Sequence, residues 1–489
     1  MTPKKKHPWR RLEFGLLALL VLAAGIVTGL YLLSHHQHRV PSYITPQDVR
    51  FQQVAKPGFD ADGQARLADS AWSMRYFQAD GADSGYVYVG TDNNILGLTL
   101  SAAKVRHRDP MPVQPPQIRR YRPDLGVDTW EVVLDYKDHE QPPYLNQGFR
   151  SMAVYRSPLD GVAYLYAGTM ADHSPTLWRS ATGDPGSWEL VFTFPEDAAK
   201  VGSVRGMVVH DGLLYFSTTP KGDVLPGGLG TIWATDGAGI TPVVTDGFGN
   251  PHNRGVGKLA SYDGCLYAGT YNSHQGFEVW KLRCTDDPQA PPELVMSGGG
   301  GQKHNETVHS MREFQGKLYL GVGIPFGIDP ISGHGLRGCQ VFRLAPDGES
   351  ELIVGPESEG PLSEYEPGFG WYLNVYCWYM HEYEDQLYMG TWDMSRAMEW
   401  LAQDAEHALP EISSLLDELL ARDEDWGSPL GGDLYRTADG IDWEPVFVDG
   451  FDRPDNHGIR TMETTDMGMF VGTENPYTRL EVWLLPAKP

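Results

Sequence analysis

Apolar and polar positions alternate with a period of two along most of the chain, the spacing of strands half-buried in a sheet. One short pattern recurs, in its clearest form M-x-x-h-x-G-x-L-Y-x-G-T. Its first anchor falls at Met74, Met152, Met207, Leu259, Met311, Met380 and Met462. Its second falls at Gly90, Gly168, Ser217, Gly269, Gly321, Gly390 and Gly472. The anchors are ten residues apart in five units and sixteen in the first two. A fixed interval inside units of variable length marks a hairpin with variable loops elsewhere. Asp211-Gly212, Asp263-Gly264 and Gln315-Gly316 are its predicted two-residue turns. A third strand carries an aromatic, at Tyr121, Trp178, Trp233, Trp280, Phe342, Tyr435 and Trp483. A fourth begins near Trp130, Trp188, Ile240, Pro292, Ser350 and Trp443.

Six units have all four strands, and the seventh stops at Trp483 with three. Phe51–Val54 has the aromatic-to-valine offset of Trp188 to Val191, so it is expected to fill the gap from the other end of the chain. Four-stranded units that bury their faces against neighbours make a propeller. The expected fold is all-β, a seven-bladed β-propeller over residues 48–489, preceded by one transmembrane helix.

Ser180-Ala-Thr-Gly-Asp-Pro-Gly-Ser-Trp188 and Thr437-Ala-Asp-Gly-Ile-Asp-Trp443 resemble the degenerate Asp-box hairpins of sialidase-like and related bacterial propellers, and Ala234–Ile240 resembles them more weakly. The resemblance implies a propeller whose hairpins are structural. It carries no activity over, because the sialidase triad of acid, nucleophile and arginine has no complete counterpart on this chain.

The alternation is absent at the start. Lys4, Lys5, Lys6, Arg10 and Arg11 precede an uncharged run from Phe14 to Leu33, long enough to cross a hydrocarbon core. Residues 1–11 are therefore read as a cytoplasmic basic tail, 12–33 as an uncleaved signal anchor and 34–47 as a polar linker. The basic flank predicts a single-pass inner-membrane protein whose C-terminal domain lies in the periplasm or outside the cell. His35, His36 and His38 belong to the solvated linker.

Composition narrows the partners. The 489 residues carry a net charge of -25 and 11% aromatics. That aromatic content argues against disorder, and the charge argues against a nucleic-acid footprint. The expected partners are a membrane and an envelope protein or acidic glycan.

In a propeller the loop entering the first strand and the loop leaving the second share a face. Six residues before the first anchor stand Asn146, Asn253, Asn305, Asn374 and Asn456, and two before it stand Trp72, Arg150, Arg205, Gly257, His309, Trp378 and Arg460. These predict a channel mouth, with the long loops near 92–117, 219–230, 322–338 and 392–431 around it. A guanidinium fork matches a carboxylate or phosphate. Set against that reading, Asn commonly caps turns, and the arginines have acids enough to hold blades together.

His252, His304, His309 and His457 are the conditional ligands of a divalent metal, ordinary hydrogen-bonded histidines being preferred. No other cofactor is implied. If the site is catalytic, His309, Glu306, Tyr271 and Glu474 supply its acid–base groups. Pairing Gly269 with Trp280 puts Cys265 opposite Cys284, a plausible disulfide, while Cys339 and Cys377 meet only if a long loop folds back. From about 395 to 422 the period shifts toward 3.6, predicting two amphipathic helices over the mouth. The preferred function is a membrane-anchored binding module for a partner protein or anionic glycan. The alternatives are a polysaccharide lyase or hydrolase and a scaffolding subunit of a membrane complex.

Overall fold

A computed structural model describes residues 49–59, 68–92, 115–125, 129–140, 146–171, 174–195, 201–220, 228–323, 338–396 and 430–488. The segments read as cytoplasmic tail, signal anchor and linker, and nearly all of the expected helical insertion, lie outside them. Among the described residues no helix is long and apolar enough to cross a membrane.

The described chain is built of antiparallel strands. β1 (Gln52–Ala55) comes first, followed by a meander of β2 (Ala71–Phe77), β3 (Tyr86–Thr91), β4 (Gln117–Tyr121) and β5 (Trp130–Asp135). The same order recurs in β6 (Asn146–Arg156), β7 (Ala163–Ala171), β8 (Thr176–Ser180) and β9 (Glu189–Thr193), then in β10 (Val201–His210), β11 (Leu213–Pro220), β12 (Thr231–Thr235) and β13 (Ile240–Val244). It continues in β14 (Gly255–Tyr262), β15 (Cys265–Tyr271), β16 (Val279–Leu282) and β17 (Glu293–Met296). The next meander is β18 (Thr307–Phe314), β19 (Lys317–Gly323), β20 (Gln340–Leu344) and β21 (Ser350–Val354). After it come β22 (Asn374–Tyr383), β23 (Gln386–Asp393), β24 (Leu434–Thr437) and β25 (Trp443–Phe447). β26 (Gly458–Thr465), β27 (Gly468–Glu474) and β28 (Val482–Pro486) end the chain.

The last meander takes its outer strand from the start of the chain. β1 pairs with β28, Gln52 opposite Leu484 and Gln53 opposite Trp483. Each first strand packs beside the first strand of the next meander, from β2 through β6, β10, β14, β18 and β22 to β26, and β26 packs against β2. The protein is an all-β propeller.

The hairpin turns follow from their residues. Asp211-Gly212, Asp263-Gly264 and Gln315-Gly316 all have positive φ at both positions, the conformation that matches a hairpin's twist. The Asp-box-like segments are turns as well. Ser180 Oγ accepts from the Gly183 amide at 2.8 Å, and Asp439 Oδ1 accepts from the Ile441 and Asp442 amides at 2.8 Å each.

Apolar side chains fill the spaces between neighbouring sheets. Phe77, Tyr88 and Ile118 of one pack with Phe149, Leu165 and Trp178 of the next. Val54, Val482 and Phe470 pack with Met74, Val87 and Tyr121 across the junction of last and first. The glycine anchors allow this approach. A methyl group on Gly269 would lie 2.5 Å from Val308 Cβ, and one on Gly472 2.6 Å from Ala71 Cβ. In the β10–β11 pair the roles are exchanged: Ser217 stands where glycine is usual, and its cross-strand partner is Gly206.

Two details of the cysteines depart from expectation. Cys265 and Cys284 are bonded, but Trp280 sits opposite Ala268 rather than Gly269. Arg283, with φ 50°, lies between that register and Cys284. Cys339 and Cys377 are both fully buried with their Sγ atoms 2.6 Å apart, because Cys339 directly precedes β20 and its amide donates to the O of Asn374, the first residue of β22.

Candidate functional site

Each first strand has a β-bulge at the same place. The register with its second strand skips one residue, and the skipped residues are Trp72, Arg150, Arg205, Gly257, His309, Trp378 and Arg460. These are the seven positions two before the first anchor. A bulge leaves its extra residue without a cross-strand partner and re-aims the side chain. All but Gly257 line one cavity of about 850 Å³ on the axis.

The position after the bulge ties the ring together in four places. Ser73 Oγ donates to Phe149 O at 2.7 Å, Ser151 Oγ to Val204 O at 2.9 Å and Ser310 Oγ to Cys377 O at 2.9 Å. Thr461 Oγ1 donates to Ala71 O at 3.1 Å, the same bond made across the closure. In β14 this position is Lys258, which lines the cavity.

Beyond the first anchor a second set of polar residues lines the cavity: Arg75, Arg312, His381 and Glu463. Arg75 Nη1 lies 3.1 Å from Glu463 Oε2, and the Tyr76 amide donates to the same carboxylate. His381 is buried, its Nε2 2.8 Å from Thr464 Oγ1, and burial with the nearby Arg312 and Arg75 pushes it down to about 3. The cavity is therefore lined by Arg75, Arg150, Arg205, Lys258, Arg312 and Arg460, against the carboxylates of Glu313, Glu382 and Glu463. In a chain of net charge -25 this is a local inversion of sign.

Aromatic faces accompany two of the arginines. The Arg150 guanidinium lies 5.2 Å from the Trp72 ring and Arg460 4.6 Å from Trp378. Burial, followed by the field of Arg150 and Arg205, pushes Arg460 down to about 9 despite the opposing pull of Glu474.

The five asparagines are placed differently from the expected mouth lining. All are buried, with no more than 3% exposure. Asn253 Nδ2 donates to Gly247 O at 3.0 Å and Glu278 Oε2 at 2.6 Å; Asn374 Nδ2 donates to Gly368 O at 3.0 Å and Asp433 Oδ2 at 2.6 Å. Asn456 repeats this with Gly450 O and Glu481, Asn305 with Gly299 O and Gln340, and Asn146 bonds Thr169. The acceptors beside the third strand also take the aromatic's polar tip, as in Trp280 Nε1 to Glu278 and Tyr435 OH to Asp433. The asparagines join a loop, a first strand and a third strand of one meander. They hold the scaffold, and none of them lines the cavity.

Among the described residues no group of three or more His, Cys, Asp or Glu side chains is arranged to hold a metal ion. His252 packs on the His274 ring at 4.4 Å, His309 on Tyr376 at 4.0 Å, and His457 Nε2 accepts from Trp392 Nε1 at 3.1 Å. His304 precedes β18 by three residues. Of the catalytic candidates, His309 alone lines the cavity. Glu474 instead accepts from Ser70 Oγ at 3.0 Å and stands 3.5 Å from His457, while Tyr271 and Glu306 lie at the junction of β15 with β18.

The strand pairing and the cavity define the class: an all-β propeller with a cation-lined axial recess. No family model matches the chain, and no curated protein matches it in sequence. Among solved structures it is similar to the Dos1 propeller, with a TM-score of 0.37 and 8% identity over 65% of this chain and 63% of that one. It is also similar to the alpha-L-arabinanase of Penicillium chrysogenum complexed with arabinobiose, with a TM-score of 0.38 and 14% identity over 72% of this chain and 94% of that one. The chain thus spans less than two thirds of the Dos1 propeller.

Proposed function

We propose that this chain is a membrane-anchored, extracytoplasmic propeller of seven blades that recognises an anionic glycan in its axial recess. The observation that carries the reading is the gathering of six cationic side chains in one cavity of an acidic protein. Guanidinium groups suit the carboxylates of acidic sugars, and the Trp72 and Trp378 rings brace Arg150 and Arg460. A recess of this volume suits a short oligosaccharide better than the flat surface of a folded partner. The basic tail and the apolar run from Phe14 to Leu33 support the anchor and the location. Binding is preferred to catalysis because the cavity gathers the cations and His309 without the other proposed acid–base groups.

The test is calorimetric titration of full-length protein with uronic-acid oligosaccharides and their reduced, uncharged counterparts. Binding of the acidic series alone is expected. Arg150→Ala, Arg205→Ala and Arg460→Ala should each weaken it by about tenfold or more, the worth of one charge-assisted hydrogen bond. Equal affinity for charged and uncharged oligosaccharides would reject the reading.

A further inference from the structure

Lys258 interrupts the ring of bonds between neighbouring first strands. At its position four other strands carry Ser or Thr, each donating to the next strand's backbone. A lysine there makes no such bond. Its Nζ lies over the Tyr379 ring of β22 at 5.3 Å, and among the described residues no carboxylate is within ion-pair reach of it.

The groups facing it are mostly cations. Arg205 comes from β10, Arg150 from β6, Arg75 from β2 and Arg460 from β26, while β18 contributes His309 and Arg312 to the same cavity. One carboxylate acts on the group: Glu474 of β27 pulls on Arg460 while accepting from Ser70 Oγ. The others are engaged or turned outward. Glu463 is held by Arg75 and the Tyr76 amide, and Glu313 and Glu382 are exposed three residues beyond the position of Lys258 in the repeat. Arg460 is 7% exposed, and its Nε has no hydrogen-bond partner. Cations crowded together in a recess repel one another, and a bound negative group relieves that repulsion.

We propose that Lys258, with Arg460, Arg205 and Arg150, forms a seat for an oxyanion group, and that the seat holds its ligand only while Lys258 carries its proton. The proposal rests on the reading of the recess as an anion site and names the part of the ligand that it grips. Burial and the four arginines push Lys258 down to about 7, so its charge changes near neutrality. An oxyanion stabilises the protonated form. Binding therefore takes up a proton at and above neutral pH and weakens as pH rises.

Inorganic sulfate is the probe, because its charge is constant across this range and only the protein titrates. Full-length protein is titrated calorimetrically with sulfate at about pH 6 and about pH 8, and the proton uptake is read from buffers of different ionisation enthalpy. Wild type should lose affinity toward the limit of about tenfold per pH unit above neutrality, as one linked proton requires. Lys258→Met should bind weakly at both values, with no proton uptake. Lys258→Arg keeps its charge and should bind at about pH 8 as wild type does at about pH 6. Sulfate affinity independent of pH, no sulfate binding, or a Lys258→Met protein that binds like wild type would each overturn the seat. A parallel titration with uronic-acid oligosaccharides separates the two readings. Sulfate binding with this pH dependence but no glycan binding leaves the seat and removes the glycan; pH-independent glycan binding does the reverse.

Discussion

A side chain's role here depends on which atoms its polar end meets. Asn374 and Arg150 both stand near the start of a first strand, yet the amide of Asn374 is consumed by Gly368 O and Asp433, while the Arg150 guanidinium faces the axis. Asn374→Ala would leave buried Asp433 and a carbonyl short of a donor, so unfolding free energy should fall by about 1–3 kcal/mol. Arg150→Ala should leave the denaturation midpoint nearly unchanged and lower ligand affinity. Urea unfolding of the two variants, with binding measured beside it, separates a scaffold residue from a binding one. His381 gives a second prediction at this scale. In the fold it stays neutral down to about 3, against its ordinary 6.5. The unfolded chain takes up that proton first, so the contribution is complete above about pH 6.5 and is lost as pH falls toward 3. His381→Asn should flatten the acid limb of stability against pH by one proton's slope; an unaltered limb would show that other groups set it.

At the scale of the strand, the bulge turns a repeat into a site. In six of the seven first strands the residue that the bulge releases lines the cavity, and the glycine anchor lets the next first strand come close. Gly472→Ala would push β27 away from Ala71 at the closure and should destabilise the protein by about 1–3 kcal/mol, read as a lower urea midpoint. Cys339 and Cys377 supply another prediction. Burial and the neighbouring sulfur hold the Cys377 thiol well above its usual value, so it is a slow nucleophile in the fold. In an oxidising compartment the pair should be joined earlier, by exchange with an oxidoreductase disulfide that accepts its two electrons as the two thiols lose their protons. Peptide mapping under non-reducing conditions should recover the linked pair, and two alkylatable thiols in the denatured protein would reject the idea. The hairpins were legible in the sequence because turn residues and anchors keep a fixed interval. The bulges were not, since a one-residue slip in pairing leaves no mark on composition. Lys258 was missed for the same reason: it stands where other units carry Ser, Thr, Gly or Tyr, and only the slip makes that column face the axis. The asparagine ring was legible as a pattern but not as a role, because its side-chain acceptors lie 23 to 59 residues further along the chain.

For the whole molecule, the charge arrangement predicts behaviour that neither sign alone would give. An acidic exterior repels anionic polymers at long range, while the recess attracts an anionic group that has entered it. Added salt screens both effects, so the on-rate for an acidic oligosaccharide should change less with ionic strength than its dissociation rate does. A stopped-flow salt series would check this. The propeller itself was recoverable from the sequence, because strand count per unit and the orphan strand at Phe51–Val54 had one consistent arrangement.

The pairing of β1 with β28 also has a consequence for biosynthesis. The first strand of the propeller to leave the ribosome is the last to find its partner. Until residues 482–484 have emerged, both ends of a curved row of sheets present unpaired backbone to their surroundings. A nascent chain stalled before that point would be open to proteases and to pairing with its neighbours, so the codons of β28 decide whether the strands made before it become a durable fold.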